Sequence, residues 1–162
     1  MLSDMIKVGM ADLKTGQGND VITTLGLGSC IGIALYDPMK KIGGLAHVML
    51  PDSTAIKNNT NIAKFADTGI TELLNQMLAM GASKARIVAK IAGGAKMFEM
   101  KGLSNIGNVG ERNAEASRET LKNLGIKLIA EDCGLNYGRT VELYCDTGKF
   151  LIKAVGKDIK EI

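Results

Sequence analysis

Apolar and polar residues alternate along several short runs of the chain, and each run predicts a β-strand. The clearest is Cys30–Tyr36, where Ile31, Ile33 and Leu35 occupy every second position and therefore share one face of a strand. Six comparable runs predict further strands: Val21–Leu25, Lys41–Leu50, Ala85–Ile91, Ile126–Ala130, Arg139–Cys145 and Lys149–Val155. Glycine, asparagine, aspartate and proline separate many of these runs, as expected for tight turns such as Gly26–Ser29.

Two segments have apolar residues at helical spacing instead. In the first, the apolar positions form one face and Gly81 follows as a helix stop: Ala66, Ile70, Leu73, Leu74, Met77 and Leu78. The second predicted helix runs from about Ala114 to Leu124, after the glycine-rich stretch SNIGNVGERN, with Asn113 as its N-cap. This order of elements predicts an α/β (α+β) fold, a layered mixed β-sandwich flanked by helices. A length of 162 residues predicts one domain, residues 1–162.

Composition narrows the classes of function. The 20 basic and 17 acidic residues are spread evenly, and aromatic residues make up 4% of the chain, so we predict no nucleic-acid partner. No apolar run approaches the roughly 18–20 residues that span a bilayer, and the first residues lack the layout of a signal peptide. We therefore predict a cytoplasmic protein without membrane insertion, in which the three cysteines are reduced.

The chain has a single histidine, His47, and the hairpin before it predicts which residue it faces. The turn residues Asp37–Lys40 suit a four-residue loop, which sets Tyr36 opposite Lys41. In that register Cys30 lies directly opposite His47 on one sheet face, with Cβ atoms ~4.5–5.5 Å apart. A slip of one residue would put the two side chains on opposite faces. A cysteine nucleophile with a histidine base is therefore one interpretation.

Other interpretations of the same residues stay open. Buried cysteines and histidines are commonly core residues. Together with Cys133 and Cys145, the pair could also form a Cys₃His zinc site, although no two cysteines have the close spacing of structural zinc sites. The glycine-rich turn with Gly28 and Ser29 favours catalysis. Glycines permit unusual backbone angles, so that N–H groups near Ser29 and Cys30 can point at one oxygen, as an oxyanion hole requires.

Seven motifs extend from residue 24 to the C-terminal hairpin: TLGLGSC (Thr24–Cys30), DP (Asp37, Pro38), AHVMLPDS (Ala46–Ser53), FAD (Phe65–Asp67), AKIAGGAKMFE (Ala89–Glu99), GERN (Gly110–Asn113) and GRTVE (Gly138–Glu142). This combination resembles the chemoreceptor glutamine deamidase family, CheD, of bacterial chemotaxis. Two details depart from the family pattern. The stretch SNIGNVGERN is longer than usual, and Leu135 stands where a glycine is common.

The resemblance implies the function and the site. It implies hydrolysis of selected glutamine side chains, on the cytoplasmic helical domains of methyl-accepting chemoreceptors, to glutamate and ammonia. Matched motif by motif, the nucleophile falls on Cys30, its histidine on His47 and a third catalytic residue on Thr24. No metal or organic cofactor is implied. CheC, a phosphatase acting on the response regulator CheY, is implied as a partner. The alternatives are a binding module that regulates CheC with little catalysis, and a generic thiol amidase or transglutaminase.

Overall fold

The computed structural model of the chain describes residues 5–55, 57–97 and 109–162. Within these residues there are ten strands: β1 Met5–Val8, β2 Asp12–Gln17, β3 Val21–Leu27, β4 Ile31–Asp37, β5 Ile42–Val48, β6 Val88–Gly93, β7 Lys127–Cys133, β8 Arg139–Tyr144, β9 Phe150–Lys153 and β10 Lys160–Glu161. The helices are α1 Ala66–Ala79 and α2 Val109–Asn123, and short 3-10 turns cover Ser53–Ala55 and Ile62–Lys64. Neither helix has the length and apolar content needed to cross a membrane.

The strands form two five-stranded mixed sheets. The first sheet has the order β1-β3-β8-β9-β10, and the second has the order β2-β5-β4-β6-β7. In the first sheet β1 runs parallel to β3, and the other neighbours are antiparallel. In the second sheet β7 runs parallel to β6, and the rest are antiparallel. Each sheet therefore carries one parallel strand pair at an edge.

The second sheet is the middle layer of the molecule. One of its faces packs against both helices, through apolar side chains such as Ile33 of β4 with Ile70 of α1 and Leu121 of α2. Its other face packs against the first sheet, where Ala34 and Leu45 belong to one core with residues of β3, β8 and β9. All residues of β4 and β5 are buried, as expected for strands covered on both faces. The predicted sandwich with flanking helices is confirmed.

Two adjacent glycines in β5 let the outer layers approach the middle sheet closely. A Cβ on Gly44 would lie 2.6 Å from Cδ1 of Leu73 in α1. A Cβ on Gly43 would lie 2.9 Å from Sγ of Cys145 and 3.0 Å from Cδ2 of Leu143, on the side of the first sheet. Successive residues of a strand point to opposite faces, so each glycine makes room for a different layer.

The β4–β5 hairpin differs from its predicted register. Asp37 remains in β4 and pairs with Ile42, so that the loop covers residues 38–41 and His47 lies opposite Gly32 instead of Cys30. The Asp37 carboxylate explains the shift, because it accepts hydrogen bonds from the N–H groups of Met39 and Lys40 and so closes the loop beyond itself. The shift of two residues keeps Cys30 and His47 on the same sheet face, since faces alternate with every residue.

The same carboxylate anchors the segment between α1 and β6. It accepts the Ser83 N–H at 2.9 Å and two hydrogen bonds from Arg86, at 3.0 and 2.9 Å. Asp37 is fully buried. Burial would raise the pKa of its carboxyl, but the Arg86 guanidinium and the backbone N–H groups outweigh it and hold the pKa at about 2. The DP turn is thus a tertiary anchor as well as a turn.

Other boundaries also differ from prediction. The strands β1, β2 and β10 were not predicted; their exposed polar positions, as in DLKTGQ, hide the alternation on which the prediction depends. Gly26 and Leu27 extend β3 instead of forming a turn. Helix α2 begins at Val109, so Asn113 lies inside the helix and is not its N-cap. Residues 104–108 of the predicted glycine-rich stretch lie outside the described residues.

Candidate active site

His47 and Thr24 meet between the two sheets. His47 of β5 points towards the first sheet, where Thr24 lies on β3, and both side chains are buried, with 0% and 1% exposed. The Thr24 Oγ1 is 2.8 Å from the His47 Nδ1. Directly after Thr24, the β3–β8 ladder is irregular and Gly26 has φ +68°. This irregularity bends the strand beside the site, as β-bulges do.

The hydrogen bonds of Thr24 fix the tautomer of the neutral histidine. A threonine hydroxyl has a single hydrogen, and Thr24 donates it to the carbonyl oxygen of Val8 at 2.7 Å. Its contact with His47 must therefore run the other way, with the Nδ1–H donating to Thr24 Oγ1. Because a neutral imidazole has one N–H, Nε2 carries the free lone pair. Thr24 thus presents Nε2 as the basic nitrogen.

Cys30 shares a buried core with the first sheet, on the same side as His47, and 8% of it is exposed. Among the described residues, His47 Nε2 has no hydrogen-bond partner, so the thiol and the imidazole are not hydrogen-bonded. Burial raises the pKa of the Cys30 thiol and lowers the pKa of His47. Both groups are therefore neutral at pH 7, and Nε2 is free to accept a proton.

The carbonyl groups of residues 28–30 accept hydrogen bonds that fasten the turn before Cys30 to neighbouring segments. The Gly28 carbonyl accepts the N–H of Ala95, and the Cys30 carbonyl accepts the N–H of Gly94, each at 2.9 Å. The Ser29 carbonyl accepts Nδ2 of Asn113 at 2.9 Å. Within residues 5–55, 57–97 and 109–162, no oxygen accepts the N–H of Ser29 or of Cys30. Both N–H groups are therefore available as donors, which an oxyanion hole requires.

Comparison with known proteins identifies the family of this chain. A family model described as CheD chemotactic sensory transduction matches residues 49–154. A protein of Lachnoclostridium phytofermentans, named probable chemoreceptor glutamine deamidase CheD, is 58% identical over 161 residues, covering 99% of this chain and 100% of that protein. The chain belongs to the CheD family. The matched segment begins after His47, so Thr24, Cys30 and His47 lie outside it but within the span that the full-length relatives cover.

Two further relatives carry the same name. A CheD of Caldanaerobacter subterraneus subsp. tengcongensis is 52% identical over 162 residues, covering 100% of both chains. A CheD of Clostridium botulinum is 54% identical over 157 residues, covering 97% of both. The Bacillus licheniformis hypothetical protein YfiH, a solved structure, aligns with a TM-score of 0.49 at 16% identity, over 77% of this chain and 51% of its own. The three CheD relatives thus match this chain over almost its whole length and theirs.

Glycines of two CheD-like motifs pack against the Cys30 turn. A Cβ on Gly93 would overlap the Cys30 carbonyl oxygen, and a Cβ on Gly94 would lie 2.7 Å from the Gly110 carbonyl oxygen at the start of α2. Both residues of the pair have positive φ, +114° and +63°, which favours glycine. The Gly93-Gly94 pair therefore packs its backbone closely against the Cys30 carbonyl and against Gly110 at the start of α2.

Leu135, the position that departs from the CheD sequence pattern, has a left-handed backbone. Its φ is +60°, next to Gly134 at +85°, and glycine favours this conformation. Its side chain is 63% exposed, and its carbonyl accepts the Lys96 N–H at 2.8 Å. We conclude that leucine takes the place of the usual glycine at the cost of some backbone strain.

The two remaining cysteines are packed away from His47. Cys145 is fully buried in the core between the sheets, and burial, reinforced by the Asp20 charge, raises its pKa to about 12. Cys133 packs against the core on the helical side, and burial together with Glu131 raises its pKa to about 11. In the part of the chain that the structure describes, no three His, Cys, Asp or Glu side chains are grouped to hold a metal ion.

A surface pocket of about 300 Å³ lies beside Thr24 and is lined by β1, β3 and the loop after β1. Met10 and Leu25 line it, and each is 63% exposed. Met97 is 45% exposed, and its Cγ would lie 3.3 Å from a Cβ on Gly28, in the turn before Cys30. Exposed apolar side chains thus lie beside Thr24 and beside Gly28, a feature common at protein-binding surfaces.

Proposed function

We propose that this protein hydrolyses glutamine side chains on chemoreceptors to glutamate and ammonia, with Cys30 as nucleophile, His47 as base and Thr24 as the residue that orients the base. The observation that carries the proposal is the Thr24–His47 hydrogen bond, which leaves Nε2 unprotonated and free on the same side as Cys30. The names of the full-length relatives support the substrate.

In the first step a substrate amide reaches Cys30. The S–H proton passes to His47 Nε2 as the sulfur bonds to the glutamine carbonyl carbon, since both groups are neutral beforehand and the proton must move during attack. The carbonyl oxygen becomes an oxyanion. The N–H groups of Ser29 and Cys30, in the turn that also contains Gly28, are the proposed donors to it, and each such donor typically contributes ~2.7–4 kcal/mol.

The tetrahedral intermediate then breaks its carbon–nitrogen bond. The departing amide nitrogen takes the proton from His47 Nε2 and leaves as ammonia, so that a thioester on Cys30 remains. Water attacks the thioester and gives a proton to Nε2. When the carbon–sulfur bond breaks, glutamate is released and the thiol recovers its proton from the imidazolium. Every proton transfer in this sequence uses Nε2, because the Nδ1–H stays bonded to Thr24.

The proposed substrate sites lie on the cytoplasmic helical domains of the receptors, so we propose that the protein acts in the cytoplasm. The exposed apolar side chains of Met10 and Leu25 beside Thr24, and of Met97 beside Gly28, support a protein substrate. We also propose CheC as a partner, on the basis of the motifs shared with the CheD family. No metal or organic cofactor takes part in the proposed sequence of steps.

The test is deamidation of a purified receptor cytoplasmic domain. Wild-type protein should release ammonia and add about 1 Da per modified glutamine, as the replacement of an amide by an acid requires. Cys30→Ala and His47→Ala should each abolish both signals while their circular dichroism spectra and unfolding midpoints stay close to wild type. Full activity in either folded variant would disprove the mechanism.

The same materials separate the alternatives. If the wild-type protein binds CheC in a pull-down but never shifts the receptor mass, it is a binding module. If free glutamine amides or added amines react as well as the receptor does, it is a generic thiol amidase or a transglutaminase. Retention of CheC by the Cys30→Ala variant would show that binding does not require the thiol.

A further inference from the structure

Asn113 links helix α2 to the chain just before β4 and just after β5. Its side chain is fully buried. Its Nδ2 group donates one hydrogen bond to the carbonyl oxygen of Ser29 and one to the carbonyl oxygen of Met49, each at 2.9 Å. Ser29 directly precedes Cys30, and Met49 lies two residues after His47. One amide group therefore fastens the chain next to the proposed nucleophile and next to the proposed base.

The bond to Ser29 fixes a peptide group. The carbonyl of Ser29 and the N–H of Cys30 belong to the same planar trans peptide unit, so they point in opposite directions. With the Ser29 carbonyl turned towards Asn113, the Cys30 N–H must point away from α2. That N–H is one of the two that no oxygen of the described residues accepts. A hydrogen bond to the carbonyl also polarises the N–H of the same unit and makes it a better donor.

We propose that Asn113 is a positioning residue that holds the Ser29–Cys30 peptide in the orientation of an active oxyanion hole. The inference rests on the proposed function and adds a residue outside the Cys30, His47 and Thr24 set. Asn113 itself touches neither substrate nor base. It acts by fixing the direction of the Cys30 N–H. Its second hydrogen bond, to the Met49 carbonyl, holds this N–H at a fixed position relative to the strand that carries His47.

The backbone around Asn113 supports a fixed geometry. Helix α2 packs directly against the backbone of Gly94 and Ala95, because a Cβ on Gly110 would lie 2.5 Å from the Ala95 carbonyl oxygen and 2.6 Å from atoms of Gly94. The neighbouring carbonyls of Gly28 and Cys30 are held by Ala95 and Gly94. The Ser29 carbonyl is the one member of this series whose donor is a side chain. A substitution of Asn113 therefore releases it together with the Met49 carbonyl, while the Gly28 and Cys30 carbonyls stay held.

The test uses Asn113→Ala and the milder Asn113→Ser, with Ser117→Ala as the matched control. Ser117 is also fully buried and its hydroxyl donates to the Asn113 carbonyl at 2.7 Å, one turn along the same helix. In Asn113→Ala we expect kcat for receptor deamidation to fall about 10²-fold, the usual loss for one oxyanion donor, with KM close to wild type. Ser117→Ala should keep the wild-type kcat.

Alkylation of Cys30 by iodoacetamide separates positioning from general damage. Displacement of iodide forms no oxyanion, so a folded Asn113→Ala variant should alkylate at nearly the wild-type rate while its kcat is low. A wild-type kcat in folded Asn113→Ala, or a loss of alkylation as large as the loss of kcat, would overturn the inference. If Asn113→Ala does not fold, the same criteria apply to Asn113→Ser.

The inference can also fail independently of the proposed function. If the wild-type protein deamidates no receptor, the proposed function fails, and the Cys30 amide signal in ¹⁵N–¹H correlation spectra then decides the role of Asn113. A changed Cys30 amide shift in Asn113→Ala, with Ser117→Ala unchanged, would support control of the peptide orientation. An unchanged Cys30 amide shift in Asn113→Ala would refute it.

Discussion

At the scale of single residues, the acceptor of the Thr24 hydroxyl hydrogen determines which nitrogen of His47 is basic. Thr24 gives its hydrogen to Val8 and accepts the Nδ1–H of His47, so the residue orients the ring without any charge. A carboxylate in this place would stabilise an imidazolium, whereas the threonine leaves the imidazole neutral. This agrees with burial lowering the pKa of His47, which favours the form that accepts a proton.

Thr24→Val tests this role, since valine has the same shape and no hydroxyl. We expect kcat for deamidation to fall by about 10- to 100-fold, because the ring loses its fixed tautomer and part of the general-base contribution of ~10²–10⁴ disappears. The measurement is ammonia release under saturating receptor. The neighbouring Thr23→Val is the matched control: Thr23 is also buried, but its hydroxyl donates to the Val141 carbonyl. Equal losses in both variants would contradict the prediction.

The sequence predicted part of this site and missed another part. The alternation in the two hairpin strands was enough to place Cys30 and His47 on one face. Thr24 came only from the family resemblance, because its partner lies on the other sheet and sheet-to-sheet contacts leave no local pattern. Asn113 was taken for an N-cap, since asparagine before an apolar helical run is typical of caps; nothing local indicates that its amide reaches Ser29 and Met49.

At the scale of elements, the β4–β5 hairpin depends on the buried Asp37. The predicted loop was wrong by two residues in register because the carboxylate closes the loop from within β4, a side-chain interaction that turn propensities do not contain. The strands themselves were predicted well, since β4 and β5 are apolar along most of their length. Strands with exposed, polar faces, such as β2, were missed for the opposite reason.

Asp37 should make stability depend on pH. Its pKa is held at about 2, below the usual 3.8, so its stabilising effect is complete above pH 4 and is lost as the pH falls through 2. This shift corresponds to about 2 kcal/mol. Asp37→Asn should therefore lower the free energy of unfolding by at least about 2 kcal/mol at pH 7, measured by urea denaturation, with a smaller difference at pH 2.

The control for Asp37 is Asp158→Asn, which removes a carboxylate from an exposed residue near the C-terminus. We expect its free energy of unfolding to stay within about 0.5 kcal/mol of wild type, as for most surface substitutions. A pH-independent difference between Asp37→Asn and wild type would mean that packing, and not the charge, explains the loss.

At the scale of the whole molecule, three layers meet at β5. Because the adjacent Gly43 and Gly44 have no side chains, the first sheet packs closely on one face of β5 and α1 packs closely on the other. The layered arrangement was predictable from the order of strands and helices. The division of the strands into two sheets was not, because β3 pairs within the first sheet with β8, which is far away in the sequence. That the chain forms one domain stays a prediction.

Gly44→Ala should destabilise the molecule by overpacking. The added Cβ would meet Leu73 Cδ1 at 2.6 Å and Met77 Sδ at 3.0 Å, and extra methyl groups in a full core typically cost ~1–3 kcal/mol. Gly9→Ala is the control, since a Cβ there would have no heavy atom within 4 Å. Thermal unfolding should show a lower midpoint for Gly44→Ala alone; equal midpoints for both variants would refute close packing at this layer.

The site draws Thr24 from the first sheet and His47 from the second, and this has a consequence for the newly made chain. Until the two sheets have docked, the imidazole has no acceptor for its Nδ1–H and can carry its proton on either nitrogen. A partly folded molecule therefore contains the Cys30 thiol and the His47 ring, but the ring has no fixed tautomer and is not yet a defined base. We expect the activity to switch on only with completed assembly, which spares the glutamines of other proteins while the chain folds or when it begins to unfold.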